Sequence, residues 1–118
     1  MSGRKILAIS YDKSLLDTRK MILELHGFDV VTALGYQEAL GMCRQKQNFD
    51  LVIVGHSIPK SDKELFIDEI RKTCSAPVLA IRRPGDPPLP GVEYSIDALD
   101  GPEALIETVQ RATGAVSS

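Results

Sequence analysis

Asp50-Leu51-Val52-Ile53-Val54-Gly55-His56-Ser57-Ile58-Pro59 is the stretch on which the fold turns. Leu51 to Gly55 is apolar or glycine, rich in β-branched side chains, and too short for a helix. That is how a strand buried on both faces reads, at the centre of a parallel sheet. Pro59 cannot donate a ladder hydrogen bond, so the strand must end before it. In an open α/β sheet, ligands and chemistry gather in the crevice beyond the carboxyl ends of the strands. Gly55, His56 and Ser57 are expected there. The crevice end of this strand carries no carboxylate.

Outward from that strand, the chain alternates. On the amino-terminal side, residues 5–10 read as a buried strand. Asp12 or Ser14 can cap a helix running to His26, with Leu15, Leu16, Ile22, Leu23 and Leu25 as its apolar stripe. Gly27 is placed to end that helix in the left-handed conformation. Residues 28–33 form a second strand, and a helix over 36–45 turns Ala39, Leu40 and Cys43 inward. On the carboxyl-terminal side, Asp62 caps a helix with Leu65, Phe66 and Ile70 inside. Residues 78–81 and 92–97 read as a fourth and a fifth strand. Pro102 opens a last helix, where its missing N–H costs nothing, with Leu105, Ile106 and Val109 on the buried side. This alternation predicts an α/β three-layer sandwich around a parallel sheet.

One interval breaks the pattern. From Arg82 to Gly91 there are four prolines and two glycines, which exclude a helix of any length. Two neighbouring parallel strands need a crossover of about a dozen residues, normally helical. Here the crossover is expected to be an extended Pro-rich loop replacing the helix, with Leu89 plugging the exposed face.

The 118 residues suit a single domain over 1–118, and a net charge of −2 gives no electrostatic reason to expect nucleic acid or an anionic membrane as partner. No apolar run approaches the roughly 18 residues of a membrane span, and residues 1–5 lead into a strand without the pattern of a signal peptide. Cys43 and Cys74 are far apart in sequence, outside any Cys-x-x-Cys pair, and read as two buried thiols in a reducing cytoplasm.

Several fragments together resemble the receiver domain of two-component response regulators. They are Gly27-Phe28-Asp29-Val30-Val31-Thr32-Ala33, Glu38-Ala39-Leu40, Asp50-Leu51-Val52-Ile53-Val54 with Ile58-Pro59, Pro77-Val78-Leu79 and Pro102-Glu103-Ala104-Leu105. The likeness covers nearly the whole length. It implies a five-stranded parallel sheet in the flavodoxin-like order 2-1-3-4-5. It also implies magnesium-assisted transfer of phosphate from a histidine kinase to an aspartate, within a cytoplasmic phosphorelay.

Residue by residue, that activity does not carry over. The family's phosphoacceptor falls at Gly55, its acidic pair at Ser10 and Tyr11, its hydroxylated switch residue at Arg82 and its lysine at Asp97. Such a set sums to about zero charge, where the family's three carboxylates and lysine give about −2 and attract a hard divalent cation. No cofactor, metal ligand set or catalytic residue is expected. Arg82 or Arg83 is the candidate substitute for the metal, bridging to Asp97, Asp12 or Asp62; the alternative is that both arginines are solvated loop residues. His56 and Ser57 lack a third group to orient them as a hydrolytic pair.

The expectation is a degenerate, non-enzymatic pseudo-receiver that acts by phosphorylation-independent contact with a protein partner of a bacterial-type signalling pathway, with homodimerisation left open. The other reading is a small anion or ligand sensor, with Arg82, Arg83, Ser10 and Ser57 receiving the ligand in the vacated crevice.

Overall fold

The side chains of the strands divide cleanly between two faces, because successive residues of a strand point to opposite sides of the sheet. A computed structural model describes residues 4–45, 49–55, 60–74, 76–86 and 91–114. Its five strands are β1 (Lys5–Ser10), β2 (Asp29–Leu34), β3 (Leu51–Val54), β4 (Val78–Arg82) and β5 (Tyr94–Asp97). All pair in parallel, as the alternation predicted, and in the order β2-β1-β3-β4-β5, as the resemblance implied. On one face Leu7, Ile9, Val52, Val54 and Val78 meet helices α2 (Tyr36–Arg44) and α3 (Lys60–Thr73) through Leu40, Phe66, Ile67 and Ile70. On the other, Ile6, Ala8, Ile53, Leu79 and Ile81 meet α1 (Lys13–Leu25) and α4 (Gly101–Thr113) through Leu16, Leu23, Leu105 and Val109. Every residue of β3 is fully buried, so the opening stretch is the centre of the sheet.

Local chemistry sets the helix ends that matter for the crevice. Asp12 caps α1 by accepting the amide of Leu15 at 3.2 Å. At the other end Gly27 takes φ 88° and its amide bonds the Glu24 carbonyl, as its sequence position predicts. α4 begins with Pro102 in its first turn and is followed by Gly114 in the left-handed conformation. Some inward assignments need correcting. Leu25 is 79% exposed and Leu65 67% exposed. α3 begins at Lys60, two residues before the expected cap, which leaves Asp62 inside its first turn; its buried ridge runs through Lys63, Phe66, Ile67 and Ile70, so Leu65 falls outside it.

The two cysteines were expected to be independent thiols; they are bonded to each other. Cys43 lies on α2 and Cys74 directly after α3, and because these helices lie side by side on one face the two Cα atoms come within 5.5 Å. With the thiols paired, cysteine usage no longer argues for a reducing compartment.

Between β4 and β5, the described residues 83–86 and 91–93 contain no helix. Gly85 turns with φ 87°, and the Asp86 amide closes on the Arg83 carbonyl at 3.1 Å. The far end of the crossover is tied to α3. Arg71 donates to the Gly91 carbonyl and to Glu93 at 2.6 Å, while the other Glu93 oxygen accepts the Val78 amide at 3.0 Å. Pro87, Pro88, Leu89 and Pro90 lie outside the described residues, and with them the expected Leu89 plug.

Candidate functional site

The crevice at the carboxyl ends of β1, β3 and β4 is built around an absence. Gly55 follows β3 and is held by its amide to the Ile9 carbonyl of β1 at 2.9 Å. A β-carbon at this position would lie 2.9 Å from that same carbonyl oxygen, 2.9 Å from Nη1 of Arg19 and 3.2 Å from the Ser10 β-carbon. The space beside Gly55 therefore belongs to a guanidinium delivered by α1.

Arg19 is only 8% exposed, an unusual depth for an arginine. Burial pushes its guanidinium below the ordinary value and the Asp12 carboxylate works against that; an arginine stays charged throughout the physiological range. A second cation enters from the opposite face of the sheet. Lys63 of α3 is 4% exposed, and its ammonium donates to the Ile81 carbonyl of β4 at 2.9 Å. Burial pushes Lys63 down, Asp86 opposes this, and Arg83 and Arg19 push it further down. Val54 of β3 pairs with Ala80 of β4, so Gly55 and Ile81 are one register step further on. The two cations thus converge on adjacent strand ends from the two sides of the sheet.

Neither cation was expected at the sequence level, although the signal was there. Arg19 falls three residues after Leu16 and four before Leu23, on the buried ridge of α1. Lys63 stands in the same relation to Phe66, Ile67 and Ile70 on α3. A cation on an apolar ridge either snorkels or reaches a polar target at the ridge's end. Both of these reach the strand termini.

The residues singled out from the sequence fall into separate groups. Ser10 is fully buried, and its hydroxyl accepts the Asp12 amide at 3.0 Å, shaping the turn into α1. Tyr11 lies over Gly35 and is 42% exposed. With Leu34, Gln37, Asp62 and Leu65 it lines a cavity of about 490 Å³ on the α2–α3 side. Asp12 spends its side chain on the helix cap. Asp97 caps a short 3-10 turn, residues Ala98–Asp100, by accepting the Leu99 amide at 2.8 Å, and Asp100 accepts the Asp97 amide in return.

The expected bridge from Arg82 to Asp97, Asp12 or Asp62 is not formed. Arg82 points to the α3 face, where its Nε donates to Ser95 at 2.8 Å and its Nη1 to the Asp86 carbonyl at 3.1 Å. It sits beside Asp97 only in backbone register. Sequence order placed Arg82 at the right strand end, but alternation along β4 aims it away from Gly55. Arg83 is exposed, close enough to Lys63 to repel it. His56 and Ser57 lie outside the described residues.

A divalent metal does not fit this donor set. Magnesium needs one or two carboxylates in near-octahedral geometry. At the strand ends Ser10, Tyr11 and Gly55 carry no carboxylate, while Arg19 and Lys63 bring positive charge. Among the described residues, no three His, Cys, Asp or Glu side chains converge. Nor is any helix among them long and apolar enough to cross a membrane.

No protein-family model matches the chain. It is 33% identical over 82 residues to the transcriptional regulatory protein CpxR homolog of Haemophilus influenzae; the match takes in 70% of this chain and 35% of that protein, so the chain spans about a third of its relative's length. Among solved structures it resembles a response regulator receiver domain protein of Clostridium thermocellum, with a TM-score of 0.81, 24% identity and 95% of each chain covered. It also resembles a CheY-like response regulator receiver domain protein of Methanospirillum hungatei, with a TM-score of 0.80, 20% identity, and 97% and 96% of the two chains covered. With the strand order and both helical layers in agreement, this chain has the fold of a response-regulator receiver domain.

Proposed function

We propose that this chain is a receiver-like signalling module that acts through protein contacts without aspartyl phosphorylation, and is not itself an enzyme. One observation carries the reading: the Arg19 guanidinium fills the space where a side chain at position 55 would begin. In the receiver family that position holds the phosphoacceptor, and the crevice around it is acidic. Here the groups that reach the crevice floor from α1 and α3 are cations. A resident cation can satisfy locally what metal and phosphoryl group supply intermittently in a working receiver, and so favour one conformation. The partner this reading implies is a protein of a bacterial-type two-component pathway, consistent with the regulatory protein the chain partly matches.

Exposure of the chain to Mg²⁺ with acetyl phosphate tests the reading directly. No acid-labile phosphate is expected, and beryllofluoride with Mg²⁺ should leave the amide spectrum unchanged. Acid-labile phosphate on Asp12 or Asp50 would overturn it, as would any beryllofluoride-dependent shift centred on residues 10–12 or 55.

A further inference from the structure

The cavity beside Tyr11 has no part in the function proposed above. It measures about 490 Å³, inside the range of roughly 300–1,000 Å³ typical of small-molecule clefts. Its place in the fold is where such clefts form. From β1 the chain runs to β2 on one side and then to β3 on the other, so the strand order reverses around β1. Open α/β sheets take ligands beyond the carboxyl ends of their strands at such a point. Tyr11 directly follows β1, and Leu34 ends β2. Gly35 and Gln37 lead into α2, while Asp62 and Leu65 stand on the first two turns of α3.

Two features set this lining apart from ordinary surface. The large apolar side chains left exposed among the described residues are Tyr11, Met21, Leu25, Leu34, Leu65 and Leu99, and three of them meet here. Scattered singly, such residues need no explanation; grouped around a concavity they mark a binding surface. The second feature is charge. Asp62 is the one charged side chain among the described residues of the lining. It stands one turn before Leu65 on the same side of α3, clear of the buried ridge of Lys63, Phe66, Ile67 and Ile70. Its carboxylate has no salt bridge or hydrogen bond among the described residues. The adjacent base, Lys63, is turned inward to the Ile81 carbonyl.

That combination selects a ligand. An anion would meet the Asp62 carboxylate with no cation in the described lining to offset it. A metal ion would find one carboxylate and gain nothing from the two leucines. A neutral apolar molecule would cover the carboxylate without giving it a partner. An ammonium on an apolar body suits every wall. The carboxylate takes the charge, the leucines take the body, and the Tyr11 ring serves either through stacking or cation–π contact.

We propose that this cavity binds a small primary amine with an aromatic body, its ammonium directed to Asp62 and its body packed among Tyr11, Leu34 and Leu65. The site goes beyond the protein contacts proposed above and does not rest on them. It adjoins the floor filled by Arg19. Tyr11 follows Ser10, whose hydroxyl accepts the Asp12 amide and whose β-carbon borders the space beside Gly55.

Phenethylamine and tryptamine are the probes, titrated into the full chain and followed by amide chemical shifts. Ligands of about nine to twelve non-hydrogen atoms should saturate with dissociation constants between roughly 0.1 and 10 mM. The shifts should centre on Tyr11, Leu34, Gly35, Gln37 and Leu65, with a smaller one at Gly55. 2-Phenylethanol, neutral and of the same shape, should bind roughly three- to fivefold more weakly than phenethylamine, the worth of one exposed ion pair. Ethylamine, charged but without the body, and phenylacetate, of opposite charge, should not saturate. Asp62→Asn should remove the preference for phenethylamine over 2-phenylethanol. Leu65→Ala, at an exposed position, should weaken both while leaving the urea midpoint unchanged. Lack of saturation by either amine at about 50 mM would overturn the proposal. Equal binding of 2-phenylethanol would overturn it too, as would saturation by phenylacetate, a preference that survives in Asp62→Asn, or shifts confined to other surfaces. Acetyl phosphate labelling reads the phosphorylation question separately, so either idea can fail alone.

Discussion

Gly55→Ala is the perturbation that most directly probes the crevice. Gly55 is not among the residues with positive φ, so the backbone itself accepts alanine. On backbone grounds alone the exchange should stabilise the protein by about 0.4–1 kcal/mol, by restricting the unfolded chain. Packing works the other way. The new β-carbon would meet Nη1 of Arg19 at 2.9 Å, the Ile9 carbonyl oxygen at 2.9 Å and the Ser10 β-carbon at 3.2 Å. Arg19 is the end of a long side chain and can give way; the Ile9 carbonyl cannot, because the Gly55 amide holds it at 2.9 Å. Overpacking of this kind costs about 1–3 kcal/mol, so the net expectation is a loss of roughly 1–2 kcal/mol. Urea unfolding should show a lower midpoint at unchanged m-value. Repeating the substitution in an Arg19→Ala background separates the two contacts. Removing the guanidinium should recover about 0.5–1 kcal/mol of the loss as a coupling energy, leaving the Ile9 contribution. A stabilised Gly55→Ala, or zero coupling to Arg19, would refute the claim that the guanidinium occupies that space.

The remaining expectations follow from other parts of the molecule. Reduction of Cys43–Cys74, which closes a loop of sequence separation 31, should cost about 3.7 kcal/mol in the loop-entropy relation, and α2 should exchange its amides first; unchanged stability in reductant would show the bond contributes nothing. Burial works to raise the Glu93 carboxyl, but the Val78 amide and Arg71 outweigh it and hold it below the ordinary value. Its contribution is therefore present above the unfolded carboxylate pKa and disappears as pH falls through the lower folded one. Between about pH 5 and 3 the protein should lose stability more steeply than Glu93→Gln, and parallel profiles would remove that carboxyl from the account. Arg82→Ala should speed amide exchange near Asp86 and Ser95 and leave residues 10–13 unchanged; a response in 10–13 would revive Arg82 as a crevice residue.

The existence of the strands, most of the buried helix faces and the crevice position of Gly55 were legible because each rests on a local pattern: a short continuous apolar run in β3, a stripe on α1, glycine after a helix; strand order was implied by the resemblance. What was not legible depended on direction. Arg82 stands at the correct strand end, yet the parity that turns Val78 and Ala80 toward α3 turns Arg82 with them. Leu25 and Leu65 are apolar residues on helices, and hydrophobicity alone does not say where a stripe ends. The disulfide was invisible for the same kind of reason. Nothing in a sequence separation of 31 brings two cysteines together; the neighbouring placement of α2 and α3 does.

Arg19 and Lys63 show how much of a site can sit in plain view on a helix ridge. Each is a long cation with an apolar stem, placed where the ridge passes over the carboxyl end of the sheet. A solvated surface lysine or arginine would be expected to lean outward, so burial of both needs a compensating target. For Lys63 that target is the Ile81 carbonyl, and for Arg19 the Asp12 carboxylate, whose side chain also caps α1, works against the cost of burial. Removing one partner of such an arrangement is far more costly than replacing both by matched apolar groups. Lys63→Met should then destabilise by about 1–3 kcal/mol, because it leaves the buried Ile81 carbonyl short of a donor. With the positive field of Lys63 gone, Arg19 loses a repulsive neighbour, and its hold beside Gly55 should tighten. Slower exchange of the Gly55 amide in Lys63→Met, against a global stability lowered by about 1–3 kcal/mol, is the expected pair of results. Faster exchange at Gly55 would mean that the two cations support one another through the backbone and are not competitors for one crevice.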